Sequence, residues 1–88
     1  MRRFKKNELN VESRFDNILI IELNDKIHIL NQTAQIVYDN CESLSTKDIC
    51  DLVVSFISHP YPEKGVICDD INSILDSFVN EKIVLDIG

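Results

Sequence analysis

The sequence lacks the features of a large catalytic protein. In 88 residues it has no Trp, two Gly, two Pro and two His. The glycines are Gly65 and the last residue, Gly88, so no glycine-rich loop can cradle a phosphate. This length predicts one domain that buries only roughly 60–65% of its unfolded surface. With 44% hydrophobic and 27% charged residues, the chain is expected to be globular rather than disordered.

Long apolar runs and paired cysteines are also missing. The longest apolar run, Ile18–Ile21, is far too short to span a bilayer, and Asn7 follows the basic start where a secretory signal would be apolar. We therefore expect a cytoplasmic protein without membrane attachment. Cys41, Cys50 and Cys68 are odd in number and widely spaced, which predicts reduced core residues rather than disulfides or a metal site.

Basic side chains are scarce outside the first six residues. The net charge is −6, but Arg2, Arg3, Lys5 and Lys6 supply four of the nine positive charges, so the chain from Asn7 onward carries five basic and fifteen acidic residues. Residues 1–7 are predicted to be a flexible basic tail and residues 8–88 a single domain. Because DNA and RNA binding needs clustered Lys and Arg, the acidic body argues against a nucleic-acid partner.

Three strands are predicted near the start of the domain. They cover roughly Leu9–Phe15, Ile18–Leu23 and Lys26–Leu30, with turns at Asp16-Asn17 and Asn24-Asp25. The second turn fixes a hairpin register in which Leu23 faces Lys26, Ile21 faces His28 and Ile20 faces Ile29.

Both faces of this predicted hairpin are apolar. One face carries Ile18, Ile20, Ile27 and Ile29, and the other carries Leu19, Ile21, Leu23 and Leu30 with His28 among them. An antiparallel sheet commonly leaves one face in water. The second apolar face is therefore covered by the first strand and the chain ends, or it awaits a partner, and a homodimer is one possibility.

Three helices are predicted to follow the strands. Asn31 is a good N-cap for the first, and Ser45 and Thr46 are cap candidates for the second. The second helix is expected to end at His59–Pro62, Glu63–Gly65 to continue that loop, and the third helix to begin at Cys68 or Asp69. Apolar residues at helical spacing support the second and third helices, namely Ile49, Leu52, Val53, Phe56, Ile57, Ile71, Ile74, Leu75, Phe78 and Val79. A short apolar segment, Ile83–Ile87, is a further strand or packs on the core.

The order of elements predicts an α+β fold. A three-stranded antiparallel sheet followed by three helices has the plan of a winged helix-turn-helix. A DNA-binding protein with this fold would need a basic third helix. Here the third helix and its flank carry one Lys and four acids: Lys82 against Asp69, Asp70, Asp76 and Glu81.

No catalytic or metal-binding pattern is apparent. His28 is expected on a packed or half-exposed strand face, and His59 precedes a proline in an exposed loop. We therefore expect neither an enzyme nor a cofactor site.

A peptide-binding role remains. If the sheet follows chain order, the strand Lys26–Leu30 lies at an edge and can accept an extended peptide as an added strand. Beside it, the third helix presents short polar side chains that leave room for such a peptide: Asn72, Ser73, Ser77 and Asn80.

The order of motifs resembles the PqqD-like family, also called RiPP recognition elements. The resemblance covers roughly 11–85. It is clearest at Lys26–Tyr38, which is similar to the family's pattern of a strand ending in Leu-Asn, a small residue and an apolar-aromatic pair; these places are filled by Leu30, Asn31, Ala34, Val37 and Tyr38. The segments Leu44–Ile49 and Asp70–Val84 resemble the family's second helix and its closing helix. The chain departs from the pattern at Lys82, where the family often has Gly, and at Tyr38, where it often has Trp.

The resemblance implies a function. Such domains bind the leader of a ribosomally made precursor peptide and present it to a modifying enzyme, either a radical S-adenosylmethionine maturase or a leader peptidase. The implied peptide-binding residues are Lys26, Ile27, His28, Ile29, Leu30, Asp70, Ser73, Ile74 and Ser77. Acidic residues in this groove predict a leader with Lys or Arg. The alternative is an acidic winged-helix interaction or regulatory adaptor.

Overall fold

The computed structural model describes residues 2–56 and 63–88. The strands are β1 (Phe4–Lys6), β2 (Val11–Phe15), β3 (Ile18–Leu23), β4 (Lys26–Leu30) and β5 (Val84–Asp86). The helices are α1 (Gln32–Asn40), α2 (Thr46–Phe56) and α3 (Lys64–Asn80). The predicted α+β class, with a three-stranded antiparallel sheet followed by three helices, is confirmed.

The central sheet has the order β2-β3-β4. The predicted register is confirmed, since Ile21 pairs with His28 and Ile20 with Ile29. The tight turn between β3 and β4 requires left-handed backbone at both of its residues, and Asn24 and Asp25 have φ of 52° and 64°. The local sequence therefore determines which side chains of the hairpin share a face.

The helices cover only one face of this sheet. The inner face packs on them, and the core joins its four aliphatic side chains to the apolar stripes of the three helices: Leu19, Ile21, Leu23, Leu30, Val37, Tyr38, Ile49, Val53, Ile71, Leu75 and Phe78. Ile18, Ile27 and Ile29 on the outer face are exposed. Neither the first predicted strand nor the chain ends cover that face, because β2 extends the same sheet and the ends pair elsewhere.

The predicted flexible tail is wrong for residues Phe4–Lys6. They form β1, which pairs antiparallel with β5 in a separate two-stranded sheet. Phe4 is 5% exposed and belongs to the core, so burial of its ring holds the segment in place. The short apolar segment after α3 is confirmed as a strand, with Ile83 and Val84 buried.

Side-chain caps begin the first two helices. The Asn31 Oδ1 accepts the Ala34 N–H at 2.9 Å, and the Ser45 Oγ accepts the Asp48 N–H at 3.1 Å. Both residues were predicted as caps. The stripe predicted for α2 is confirmed at its buried residues Ile49 and Val53, whereas Phe56 is exposed.

The third helix begins earlier than predicted. It starts at Lys64, after Glu63, whose carbonyl accepts the Val66 and Ile67 N–H groups at 3.0 and 3.2 Å. Gly65 is tolerated because it lies in the first turn, and buried Ile67 extends the apolar stripe backwards. Ile57 and the predicted terminator His59–Pro62 lie outside the described residues.

The end of α3 has a backbone conformation at Lys82 that glycine would adopt more easily. This residue has a φ of 63°, in the left-handed region that favours glycine. The Ile83 N–H then donates to the Phe78 carbonyl at 2.9 Å, which closes the helix and directs the chain into β5. A family that often has Gly at this place is consistent with the backbone required here.

Candidate peptide-binding site

The strand β4 forms one edge of the central sheet. Because a two-residue turn closes on a hydrogen-bonded pair, Lys26 and His28 exchange backbone hydrogen bonds with β3. Alternate residues then turn their backbone groups the other way. The N–H and C=O groups of Ile27 and Ile29 therefore point away from β3, towards the open side of the edge.

The side chains of β4 divide between the two faces. Ile27 and Ile29 are 68% and 69% exposed on the outer face, away from the helices. On the inner face, Leu30 is buried, His28 is half-buried and Lys26 is exposed. Of the five predicted residues on this strand, only Lys26 and His28 turn accessible side chains towards α3.

The predicted residues of α3 lie on one flank of that helix. Asp70, Ser73 and Ser77 are exposed and Ile74 is half-buried. Helical spacing places Asp70, Ile74 and Ser77 on the same side of α3 as Glu81, with Ser73 farther towards solvent.

An open cleft separates β4 from the end of α3. It has a volume of about 190 Å³ and is lined by Leu23, Asn24, Lys26, His28, Asn80, Glu81 and Lys82. The Lys26 Nζ lies 4.0 Å from the Glu81 Oε2 across it. The structure therefore brings Lys26 and His28 together with the end of α3, rather than with Asp70, which lies eleven residues and roughly 16 Å earlier along the helix.

Five of the seven residues that line this cleft were missed by the sequence prediction. They are Leu23 and Asn24 at the turn, and Asn80, Glu81 and Lys82 where the helix ends. Asn80 stood among the short polar side chains of the helix, and Lys82 was the departure from the family pattern. The Gly that the family pattern often has at this place was the available signal for a left-handed helix end that turns towards the edge strand.

The charge of α3 is more balanced than the sequence suggested. The helix includes Lys64, which forms an ion pair with Asp51 and holds the pKa of that carboxyl below its ordinary value. Asp76 is paired with Arg2 at 2.7 Å. The cleft itself therefore contains one acid, Glu81, beside Lys26 and Lys82, while the exposed Asp69 and Asp70 lie farther back along the helix.

The other edge of the sheet is tied to α1. The Arg14 guanidinium donates to both carboxylate oxygens of Asp39, at 2.6 and 3.2 Å. The Tyr38 hydroxyl donates to the Glu12 Oε2 at 2.8 Å, and burial raises the pKa of Tyr38, so the hydroxyl keeps its proton. These contacts hold β2 against the first helix, whereas β4 faces an open cleft.

A larger cavity of about 470 Å³ lies between β1 and the turn after α1. None of the predicted site residues lines it. Within residues 2–56 and 63–88, no group of three His, Cys, Asp or Glu side chains is placed to hold a metal ion. The predicted core or near-core positions of the cysteines are confirmed, with Cys41 and Cys50 buried and Cys68 half-buried. No described helix is long and apolar enough to cross a membrane.

Comparison with solved structures identifies a relative by fold. The chain is similar to TbiB1, whose structure was solved in complex with the TbiA(beta) leader peptide. The two superpose with a TM-score of 0.81 over 96% of this chain and 98% of TbiB1, at 13% sequence identity. This similarity establishes a shared fold. No protein-family model and no curated protein matches the sequence, so membership of the PqqD-like family stays a prediction.

Proposed function

We propose that this protein binds the leader segment of a ribosomally synthesised precursor peptide and presents it to a modifying enzyme. The observation that carries the proposal is the edge position of β4. Within residues 2–56 and 63–88 no strand pairs with its outer side, and the backbone groups of Ile27 and Ile29 point there beside an open cleft. An extended peptide would pair with these groups as a fourth strand. TbiB1, which has the same fold, was solved with a leader peptide.

In this proposal the cleft selects the peptide by its side chains. A peptide strand beside β4 would turn alternate side chains towards His28 and Ser77, where short polar groups leave space. Glu81 in the cleft, and Asp70 on the same flank of α3 roughly 16 Å farther back, would favour basic residues at separate positions of the leader. We expect higher salt to weaken binding, and an affinity that is independent of salt would contradict this charge contribution.

The protein would act as a delivery protein without a catalytic step of its own. The partner enzyme would be a radical S-adenosylmethionine maturase or a leader peptidase. The neighbouring genes distinguish the two enzymes, because the gene of the enzyme that is served would lie beside a short precursor gene. A regulatory context without such a gene would instead favour the adaptor role.

A matched pair of variants tests strand addition. Ile29→Pro removes the outward N–H, and proline is tolerated on an edge strand where that N–H makes no ladder bond. Ile29→Ala removes the exposed side chain and keeps the N–H. Fluorescence anisotropy with a labelled leader from the adjacent precursor gene should show about a tenfold loss for Ile29→Pro, since the peptide carbonyl left without its partner costs about 1–3 kcal/mol and about 1.4 kcal/mol is tenfold.

Ile29→Ala is the control, and two separate results would contradict the proposal. Ile29→Ala should bind within about threefold of the unmodified protein, because its backbone group is intact. Circular dichroism confirms that both variants fold. Unchanged affinity in a folded Ile29→Pro protein would exclude strand addition. Absence of saturable binding at tens of micromolar, with the partner enzyme present, would contradict leader binding itself.

A further inference from the structure

The outer face of the central sheet is a continuous apolar surface. We define it by six residues: Val11, Phe15, Ile18, Ile20, Ile27 and Ile29. Ile20 is half-buried, and the other five are 44% to 69% exposed. Scattered exposed apolar side chains are ordinary, but a contiguous patch of several hundred Å² signals an interaction surface.

The strand register brings these side chains into rows. Phe15 pairs with Ile18 in one row, and Ile20 pairs with Ile29 in the next, with Ser13 on the other side of Ile20. In the third row Glu22 lies between Val11 and Ile27. The rows contain one charged side chain, Glu22, and it lies at the end of the sheet next to the Asn24-Asp25 turn.

We propose that the outer face is the interface of a twofold homodimer in which two sheets stack face to face. Five of the six side chains are 44% to 69% exposed across three strands, which makes a patch of several hundred Å², and a standard stable interface buries about 800 Å² per partner. Two antiparallel sheets pack through such faces at a separation of about 10 Å, as in a β-sandwich.

The distribution of charge fits a second copy of this chain. An interface between identical faces requires that apolar side chains meet apolar side chains, and a twofold axis near Ile20 achieves this. The same axis places Glu22 in the last row of each copy, at the end of the interface next to the Asn24-Asp25 turn, where its carboxylate stays in reach of water. The acidic chain would thus contact itself through a surface where charge is nearly absent.

The dimer leaves the proposed leader site accessible. The cleft between β4 and α3 lies on the inner side of the sheet, with the helices, whereas the dimer covers the outer side. Phe15 is on β2, at the opposite edge from β4. A change at Phe15 therefore tests the dimer without altering the proposed leader-binding strand.

Sedimentation equilibrium of the full chain across the micromolar range is the test. The unmodified protein should fit a monomer–dimer equilibrium without larger species. Phe15→Glu should raise the dissociation constant at least tenfold, because it places two charges in an apolar interface. Val66→Glu is the matched control, since it adds the same charge at an exposed apolar residue of α3 and should leave the equilibrium unchanged.

Two results would overturn the proposal. One is an unmodified protein that stays monomeric up to several hundred micromolar, which would leave the face for a different protein. The other is an equal effect of Phe15→Glu and Val66→Glu. If Phe15→Glu does not fold, Phe15→Thr retains strand propensity and should also weaken the dimer. Leader affinity measured on the same variants is expected to be unchanged, so this test fails or succeeds independently of the proposed function.

Discussion

Lys26 and Glu81 face each other across the cleft, with 4.0 Å between the Nζ and the Oε2. They connect the start of the edge strand to the residue that follows α3. Their side chains are 71% and 40% exposed, so this ion pair contributes little to stability. A leader strand bound as we propose would therefore displace it at small cost.

A bulky side chain on the α3 flank should block the proposed site. Ser77→Trp fills space beside the cleft, and we expect at least a tenfold loss of leader affinity in the anisotropy titration. Ser77 is exposed, so the free energy of unfolding should change by less than about 0.5 kcal/mol. Ser55→Trp on α2 is the control and should bind normally. Normal binding by Ser77→Trp would place the peptide elsewhere.

The left-handed backbone at Lys82 should make glycine stabilising there. Lys82→Gly is expected to raise the free energy of unfolding by about 0.5–1 kcal/mol, because glycine adopts a positive φ without the steric cost of a Cβ. Urea unfolding measures the change. Lys82→Ala removes the same charge but keeps the Cβ, and it should give no gain. A glycine variant less stable than the alanine variant would refute this explanation.

Phe4 should behave as a core residue although it stands near the start of the chain. Phe4→Ala is expected to lower the free energy of unfolding by about 3–5 kcal/mol, since the ring is 5% exposed. Lys5→Ala, on the same strand with its side chain 50% exposed, should change it by less than about 0.5 kcal/mol. Equal small effects in thermal unfolding would mean that the segment is a tail in solution.

Alkaline pH should destabilise the protein through Cys41. Burial raises the pKa of the Cys41 thiol to about 11 from an ordinary value near 9. Between these values the unfolded chain releases a proton that the folded protein keeps, so the free energy of unfolding falls as pH rises, by up to about 3 kcal/mol. Below about pH 9 the thiol is protonated in both the folded and the unfolded state, so none of this stability is lost.

Cys41→Ala isolates that thiol. The variant should lose less stability between about pH 9 and 11 than the unmodified protein, because other titrating groups act equally in both. Urea unfolding at a series of pH values gives the comparison. Parallel curves for the two proteins would show that Cys41 does not titrate differently on folding.

Local patterns predicted the hairpin and the helix caps because both depend on neighbouring residues. The Asn24-Asp25 turn fixes which side chains of β3 and β4 share a face, and Asn31 caps the helix that begins at the next residue. The pairing of β1 with β5 could not be read in this way. Phe4 pairs with Asp86, and a three-residue strand with a distant partner leaves no periodic signal.

The candidate site was predictable from the sequence only at its edge strand. The edge position of β4 follows from sheets that keep chain order, and the structure confirms that order. The part of α3 that meets β4 depends on where the helix ends and how it packs. That three-dimensional relationship makes Asn80 and Glu81 lining residues, whereas Asp70 lies well along the helix from the cleft.

The outward backbone groups of Ile27 and Ile29 impose a rule on any peptide that pairs with them. Successive residues of an added strand point to opposite sides of the sheet. Every second residue of the bound segment would meet the polar cleft, and the residues between would continue the isoleucine surface. A peptide that fits this edge would therefore alternate polar and aliphatic residues along its length. A register shift of one residue would turn the aliphatic side chains into the cleft and the polar ones to the outer face.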